Sequence, residues 1–395
     1  MSNDHALREF TGLAPGVLAV APSVKRPTSN RHPARRLWIL RPLVLLVTME
    51  MCVSAAEIPP LRGLNRTNLL EYHGADGAVK LGRTKVEWEL RRHEAIAGFL
   101  SMTGPLPGAE MRCALNPRIE AEVDCGSYVR RLISYESSPG GRVPAYLCIP
   151  KRALNGKPAP AILCLHPTDM QDGHRVIVEK LRDYYPPYAA ELAERGYVTL
   201  SPAYPLLAQY QPDLKALGFS SGTMKAVWDN IRGLDLLETL PFVKKKAGFA
   251  TIGHSLGGHN SIFTAVLEPR LKVIVSSCGF DSVVDYYGGN LKGWVQERYI
   301  LKMADYLGRA QDVPFDYYEL IAALAPRQVF VSAPLKDGNF KSDSVARITA
   351  AARPIFKLYG AEKNLQVYYP DSEHKFPDAE RFAAYEVIAK ALGKP

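Results

Sequence analysis

One serine of the chain lies in a sequence context that is typical of a reactive nucleophile. Residues 253–257 read Gly-His-Ser-Leu-Gly, which centres a G-x-S-x-G pattern on Ser255. The apolar run 248–252 predicts a buried strand before the pattern, and residues 258–267 predict a helix after it. A sharp turn between strand and helix lifts the serine hydroxyl clear of the backbone. We therefore expect Ser255 to attack a carbonyl carbon while the N–H of Leu256 donates to the developing oxyanion.

A serine nucleophile needs a general base, and the order of residues along the chain points to one histidine. Of the nine histidines, only His374 lies C-terminal to the helix predicted at 258–267. It follows the β-prone run 365–369, within the loop 370–377. A triad in the order serine, acid, histidine places its histidine on such a loop. We predict that His374 is the base.

The acid that orients the imidazole has three candidates. Asp337 follows the apolar run 328–333, so it lies at the carboxyl end of a predicted strand, where α/β enzymes place functional residues. Asp343 is expected in the first turn of the next helix, where a carboxylate suits the helix dipole. Asp281 follows another predicted strand, 271–277. We favour Asp337, which would hold the imidazole tautomer and stabilise the imidazolium.

A second oxyanion donor is expected in the loop after an earlier strand. The continuous apolar run 161–165 predicts a parallel strand buried on both faces, and it leads into His166, Pro167 and Thr168. Proline has no N–H, so the N–H of Thr168 is the expected donor. We expect His166 to shape this loop and not to act as a second base.

With these residues in place, the chain resembles the α/β-hydrolases, and more narrowly the bacterial esterases similar to dienelactone hydrolases and acetyl xylan esterases. The matching segments lie within 128–392 and are 143–150, 165–168, 253–257, 325–327 and 370–377. The resemblance implies a mostly parallel sheet with helices on both faces and a triad of Ser255, Asp337 and His374. Many dienelactone hydrolases carry a cysteine nucleophile, so the serine favours an oxygen ester over a dienelactone.

The expected activity is hydrolysis of a carboxylic ester through an acyl-enzyme, on a small-molecule or carbohydrate substrate such as a sugar acetate, with no cofactor. A peptidase or a thioesterase of the same fold is the alternative within hydrolases. We see no β-propeller repeats, which argues against an oligopeptidase. A non-catalytic binding protein on a hydrolase scaffold is the alternative from another class. The joint presence of Ser255, Asp337 and His374 argues against it.

The pattern along the chain divides it into three parts. Residues 1–56 form a leader, residues 57–127 an N-terminal extension that packs on the core, and residues 128–395 the catalytic domain. Within the catalytic domain, 281–325 is rich in aromatic residues and is a candidate cap. Its rings would roof the active site and suit a sugar ring or an aryl ester, or they would only pack the cap against the body.

Two elements of the N-terminal half are predicted in more detail. Residues 57–83 lack periodicity and are expected to be loop. A helix is predicted over 84–100, with Val86, Leu90, Ala97 and Leu100 on the stripe that packs against the body. Alternating segments then predict an antiparallel hairpin at 128–136 and 141–149, separated by a Pro-Gly-Gly turn.

Charge and leader bear on partners and location. The 395-residue chain has 49 Lys/Arg and 40 Asp/Glu, a formal net charge of +9. Residues 1–56 hold seven Lys/Arg and three Asp/Glu, so a net charge of +5 remains for the rest of the chain, too little to indicate nucleic-acid binding.

Arginines precede the apolar run 42–49, and this part of the leader resembles a secretory signal peptide with an unusually long polar segment before it. The apolar run is too short for a stable membrane span. We expect a secreted or periplasmic protein, with a cytoplasmic one as the alternative.

Cysteines and histidines do not form a metal motif. The chain has six cysteines and contains neither a C-x-x-C nor an H-E-x-x-H pattern, so no metal is expected. Cys148 and Cys164 lie in predicted strands and are expected in the core. Cys113 and Cys125 are twelve residues apart and are a candidate disulfide in an oxidising compartment.

Overall fold

A computed structural model describes residue 61 and residues 63–395, and the elements that follow are those of this part of the chain. The predicted signal segment and the rest of the leader 1–56 lie outside the described residues. Among the helices that are described, none combines the length and the apolar character needed to cross a bilayer.

The strands of the described residues form one large sheet and one small hairpin. Nine strands make up the large sheet, in the order β11-β10-β9-β8-β6-β7-β5-β4-β3, and β1 pairs with β2 alone. Their bounds are β1 Glu71–His73, β2 Val79–Leu81, β3 Arg118–Asp124, β4 Tyr128–Ser138, β5 Gly141–Pro150, β6 Ala161–Leu165, β7 Val198–Pro202, β8 Phe249–His254, β9 Leu271–Ser277, β10 Gln328–Ser332 and β11 Leu365–Tyr368. The strands from β6 onward run parallel, whereas β3, β4 and β5 join them antiparallel.

The α-helices lie between and around these strands. Their bounds are α1 Lys85–Thr103, α2 Lys151–Leu154, α3 Tyr188–Glu194, α4 Gly222–Thr239, α5 Leu256–Leu267, α6 Tyr317–Ala322, α7 Ser342–Leu358 and α8 Asp378–Leu392. The connection between β9 and α6 contains four short 3-10 turns, at Tyr286–Gly288, Leu291–Gly293, Leu301–Tyr306 and Ala310–Asp312.

The central strands are buried on both faces, as continuous apolar runs predict. In β6, Ala161, Leu163 and Leu165 face one apolar cluster, whereas Ile162 and Cys164 face another. Side chains from α1, α4, α5, α6 and α7 fill the first cluster, and those from α3 and α8 fill the second. The predicted fold class, a mostly parallel sheet with helices on both faces and an antiparallel N-terminal hairpin, is confirmed.

Helix α1 begins one residue after its predicted start and packs through a different face. Val86 and Leu90, predicted to be inward, are 75% and 44% exposed. Trp88, Arg91 and Phe99 are buried instead. The predicted stripe was wrong at these two positions, whereas Leu100, also on it, packs partly buried against the first apolar cluster. An arginine lies in the middle of the true buried face. Its guanidinium pairs with Glu319 of α6 at 2.9 Å, and both side chains are fully buried.

The segment before the large hairpin is more regular than expected. Residues 71–81 form the β1–β2 pair, where loop was predicted. Strand β3 extends the large sheet although it lies in the predicted N-terminal extension, and its side chains are exposed. Cys113 and Cys125 are both free thiols, so the disulfide prediction was wrong. The seven residues of β3 lie between them, and a strand of that length spans roughly 23 Å.

Candidate active site

Ser255 occupies a strained turn between β8 and α5. Its backbone has φ +53° and ψ −119°, a conformation that is costly for a residue with a side chain. The glycines on either side are required by close backbone contacts. A Cβ atom on Gly253 would lie 2.1 Å from the carbonyl oxygen of Gly257, and one on Gly257 would lie 1.9 Å from that of Leu165. The G-x-S-x-G spacing therefore follows from the shape of this turn.

The contact between Gly257 and Leu165 brings the start of α5 against the end of β6. Loop 166–169, which continues from β6, therefore lies beside the amide of Leu256. An N–H at the first helical position has no acceptor within its helix. Among the hydrogen bonds of residues 63–395, the N–H of Thr168 also donates to no protein group. The two predicted oxyanion donors thus lie on adjacent segments with their N–H groups unpaired.

Two tyrosine hydroxyls hold Thr168 in place. The hydroxyl of Tyr299 lies 3.1 Å from Thr168 Oγ1, and that of Tyr185 donates to the Thr168 carbonyl at 3.2 Å. Tyr299 also packs against the cluster that contains Leu256, the residue after the serine. Tyr299 belongs to the aromatic segment 281–325 that the sequence offers as a candidate cap, but its contact with Thr168 is not predicted. Tyr185 carries no sequence signal.

His166 is fixed as a neutral part of the loop. Its Nδ1 lies 2.7 Å from the carbonyl oxygen of Pro167, and its Nε2 accepts the N–H of Tyr204 at 3.0 Å. This pairing puts the single ring proton on Nδ1. Burial lowers the pKa of His166 to about 4, so the ring is uncharged near neutral pH. With both nitrogens occupied, it supports the loop and offers no free base.

Asp337 and His374 form a hydrogen-bonded pair at the carboxyl edge of the sheet. His374 Nδ1 lies 2.8 Å from Asp337 Oδ1, which also accepts the N–H groups of Asn339 at 2.8 Å and Phe340 at 3.1 Å. The aspartate side chain is 1% exposed and that of the histidine 28%. Burial alone would raise the pKa of Asp337, but the hydrogen bond and charge of His374 and the two N–H groups outweigh it and hold the pKa below its ordinary value. The pair is therefore an ionised carboxylate that holds an imidazole by Nδ1.

The imidazole of His374 borders the serine turn. Its ring centroid lies 5.0 Å from that of His254, the residue immediately before Ser255. No direct hydrogen bond joins the Ser255 hydroxyl to His374 among the hydrogen bonds of the described residues. In unliganded enzymes such a bond is often long and shortens when substrate binds.

The other two acids considered from the sequence lie apart from the imidazole. Asp343 is exposed at the start of α7, where its carboxylate pairs with Arg347 at 2.8 Å. Asp281 is buried, and its Oδ2 accepts the N–H of Lys341 at 3.1 Å. Burial raises the pKa of Asp281 to about 7. Neither carboxylate has a hydrogen bond to His374 among the described residues.

The aromatic insertion 281–325 contacts both the core and the loop of Thr168. Most of its rings pack inward: Phe315, Tyr317 and Tyr318 are at most 5% exposed. Tyr299 instead contacts Thr168 of the loop 166–169, which we call the oxyanion loop after its predicted donor. Its ring lies 6.0 Å from that of Trp294, within the insertion. The insertion therefore supplies one wall beside Thr168 while most of its aromatic residues join the core.

Two cavities of the described part of the chain are lined by residues other than the predicted triad. One, of about 600 Å³, lies near Ala265 and Arg327, at the end of α5 remote from Ser255. The other, of about 300 Å³, is lined by His166, His174 and Tyr146.

The fold of the chain is similar to that of several solved esterase structures. No protein-family model and no curated protein matches the chain. Among solved structures, it is similar to a glucuronoyl esterase from Solibacter usitatus, at 19% identity and a TM-score of 0.64, over 82% of this chain and 97% of that one. A carbohydrate esterase family 15 glucuronoyl esterase from Caldicellulosiruptor kristjansonii matches at 15% identity and a TM-score of 0.58, over 82% and 90%. A glucuronoyl esterase from Sporotrichum thermophile matches at 17% and 0.55, over 82% and 87%. At these identities the likeness establishes the fold, which is the α/β-hydrolase fold.

Proposed function

We propose that the chain is a serine hydrolase that cleaves a carboxylic ester of a carbohydrate through an acyl-enzyme. The observation that carries the proposal is the buried hydrogen bond between Asp337 and His374, beside a strained serine turn in an α/β-hydrolase fold. Serine-dependent ester hydrolysis uses a serine on a strained turn, an imidazole and a carboxylate together. Backbone strain of this kind is costly, and no structural role for it is evident at Ser255.

Each residue then has a defined task. Ser255 attacks the ester carbonyl while His374 Nε2 takes its proton, and Asp337 keeps the imidazole proton on Nδ1 and stabilises the imidazolium. His374 returns the proton to the departing alcohol. Water then attacks the acyl-enzyme by the same route and releases the acid.

The tetrahedral oxyanion would bind between the N–H groups of Leu256 and Thr168. Both are backbone donors that are unpaired in the free protein, so they need no rearrangement before reaction. Donors that are fixed before charge develops stabilise the transition state far more than mobile ones do. The hydrogen bonds from Tyr185 and Tyr299 support this assignment because they fix Thr168.

Two kinds of carbohydrate ester fit this chemistry. In a sugar acetate the carbohydrate supplies the departing alcohol. In a uronoyl ester, the kind named for the similar glucuronoyl esterases, the carbohydrate supplies the acyl group. The same serine, imidazole and oxyanion donors serve both. The two substrates differ in whether the sugar is the alcohol part or the acyl part of the ester. Which part packs against the aromatic residues of the insertion decides between them.

The test combines labelling with an ester panel. The protein is expected to hydrolyse p-nitrophenyl acetate and to take up one serine-reactive phosphonate per chain, which peptide mass analysis locates at Ser255. The Ser255→Ala variant should lose both properties, whereas Ser261→Ala, a buried serine in α5, should keep the label. A panel of acetylated xylan, a glucuronoyl ester, a peptide and an acyl thioester then assigns the class. Absence of turnover and of labelling would favour a binding protein.

Location follows from the leader. A protein that acts on polysaccharide esters must meet them outside the cytoplasm, which agrees with the signal-like segment predicted in residues 1–56. We propose export to the periplasm or the medium. Detection of the full-length chain in the cytoplasm, with its leader uncleaved, would contradict this.

A further inference from the structure

A cysteine lies beside the aspartate and histidine of the proposed triad. Cys278 follows β9, with a backbone φ of +47°, and its thiol is buried. Its Sγ lies 3.2 Å from the carbonyl oxygen of Lys375, the residue after His374. One ligand atom each from Cys278, Asp337 and His374 lies within 4.8 Å of the other two. A thiol, a carboxylate and an imidazole therefore converge at one point.

A second observation indicates that this point is incompletely satisfied. Asp337 is 1% exposed, yet its Oδ2 has no hydrogen-bond partner in the described part of the chain. A buried carboxylate oxygen without a partner is rare and costly. A cation between Asp337 and its neighbours would satisfy this oxygen.

We propose that Cys278, Asp337 and His374 form a binding site for a thiophilic divalent cation such as Zn²⁺, and that occupancy of this site inhibits the enzyme. The inhibitory part of this proposal rests on the proposed function. Sulfur, nitrogen and oxygen donors are the set that zinc prefers, with metal–ligand distances of about 2.0–2.3 Å. Tetrahedral ligands at those distances lie roughly 3.3–3.6 Å apart, so small side-chain rotations would close the cluster.

Inhibition follows from the tautomer of the imidazole. Zinc takes the lone pair of His374 Nδ1, so the ring proton moves from Nδ1 to Nε2, and the thiol of Cys278 releases its proton to solvent. New bonds form from zinc to sulfur, to nitrogen and to a carboxylate oxygen of Asp337. An imidazole with its proton on Nε2 has no lone pair there to accept the proton of Ser255. The cation thereby removes the base without entering the oxyanion site.

The cluster is assembled from three loops, which explains why no metal motif predicts it. Asp337 and His374 are separated by 37 residues, and Cys278 belongs to the loop after a different strand. The fourth position of a tetrahedral zinc would be left to water, whereas closed structural zinc sites have four protein ligands. We therefore expect reversible inhibition by free cation, and not a permanently bound structural metal.

The experiment measures inhibition and binding separately. Ester hydrolysis is followed against buffered free Zn²⁺ for the wild type, for Cys278→Ala and for Cys113→Ser, a half-buried free cysteine that serves as control. Wild type and Cys113→Ser should be inhibited and recover with a chelator. Cys278→Ala should need at least about tenfold more Zn²⁺, because losing even an outer-shell partner of a metal ligand costs about 10–100-fold in metal affinity.

Binding is read without activity. In a Ser255→Ala background, Cd²⁺ should produce the ultraviolet sulfur-to-cadmium charge-transfer band, and Cys278→Ala should abolish it. If Cys278→Ala misfolds, the near-isosteric Cys278→Ser variant in the same Ser255→Ala background replaces it and should likewise lack the band. Equal inhibition of Cys278→Ala and wild type, or an unchanged cadmium band in a variant without this thiol, would overturn the proposal. A cadmium band in a protein that hydrolyses no ester would contradict the proposed function and leave the cation site standing.

Discussion

Gly257 and Leu165 are in direct backbone contact, so close that a Cβ atom on Gly257 would lie 1.9 Å from the carbonyl oxygen of Leu165. This contact joins the first turn of α5 to the end of β6, and so the serine turn to the oxyanion loop. Both predicted oxyanion donors depend on it, since Leu256 precedes Gly257 and Thr168 follows Leu165. The glycine thus fixes the distance between the two segments that carry the proposed oxyanion donors.

The Gly257→Ala substitution is therefore expected to damage activity more than folding. Backbone must move to admit the methyl group, and overpacking of this kind costs about 1–3 kcal/mol of stability. Displacement of two oxyanion donors should lower kcat by about 10²-fold or more. Gly338→Ala is the matched control, because a Cβ there meets nothing within 4 Å, and it should leave both quantities unchanged. Full kcat in a folded Gly257→Ala protein would contradict the assignment.

The Asp337→Asn substitution tests which acid belongs to the triad. The amide would favour the wrong imidazole tautomer, so kcat should fall by about 10³–10⁴-fold. Asp343→Asn removes an exposed carboxylate paired with Arg347 and should leave kcat within about twofold, since such surface pairs contribute little. Steady-state kinetics on p-nitrophenyl acetate measures both. A larger loss in the Asp343 variant would reassign the acid.

The Asp337→Asn substitution should also change how the stability of the protein depends on pH in the acidic range. Because the folded pKa of Asp337 lies below its ordinary value, the carboxylate stabilises the fold above that ordinary value, and this stability is lost as pH falls through the lowered pKa. The Asn variant has no such proton to take up. Its urea midpoint should therefore fall less than that of the wild type between neutral and strongly acidic pH.

The core of the fold follows from the sequence where local pattern and tertiary environment agree. The strands 161–165 and 271–277 have the bounds that the sequence predicts, because each is a short segment with an apolar centre, too short for a helix. The buried face of α1 was missed because Arg91 is compensated by Glu319, 228 residues away. No local pattern contains such a partner.

The residues of the proposed site also fall into those that the sequence predicts and those that it does not. Ser255 is marked by glycines next to it, and His374 and Asp337 by their positions after strands. Tyr299 carries no such mark, since its contact with Thr168 spans 131 residues. Chain order therefore predicts the residues that a strand delivers to the sheet edge. For the irregular insertion the sequence predicts a candidate cap, but not which of its rings meets the loop of Thr168.

The Asp281→Asn substitution should stabilise the protein at alkaline pH. Burial raises the pKa of Asp281 from its ordinary 3.8 to about 7, and the nearby Asp285 and Asp316 add to this. The folded state then keeps a proton that the unfolded chain releases, so stability falls as pH rises through this interval. Asparagine cannot ionise. Its urea midpoint should exceed that of the wild type at pH 8 and approach it at pH 4, and a constant difference at all pH values would refute the cause.

The Tyr299→Phe substitution separates positioning of the oxyanion loop from packing of the insertion. Phenylalanine keeps the ring against Trp294 and loses only the hydroxyl that meets Thr168 Oγ1. We expect kcat to fall by about tenfold, less than the 10²–10³ that follows from losing an oxyanion donor outright. KM should hold, because the loop is needed for the oxyanion and not for ground-state binding.

Tyr287→Phe provides the control, since its hydroxyl meets Asn339 on the exposed side of the same insertion. It should leave kcat and KM unchanged. Thermal unfolding of both variants should match that of the wild type, because one exposed or half-buried hydroxyl contributes little to stability. If Tyr299→Phe raises KM and spares kcat, the hydroxyl contacts substrate directly, and Thr168 is positioned by Tyr185 and the loop itself.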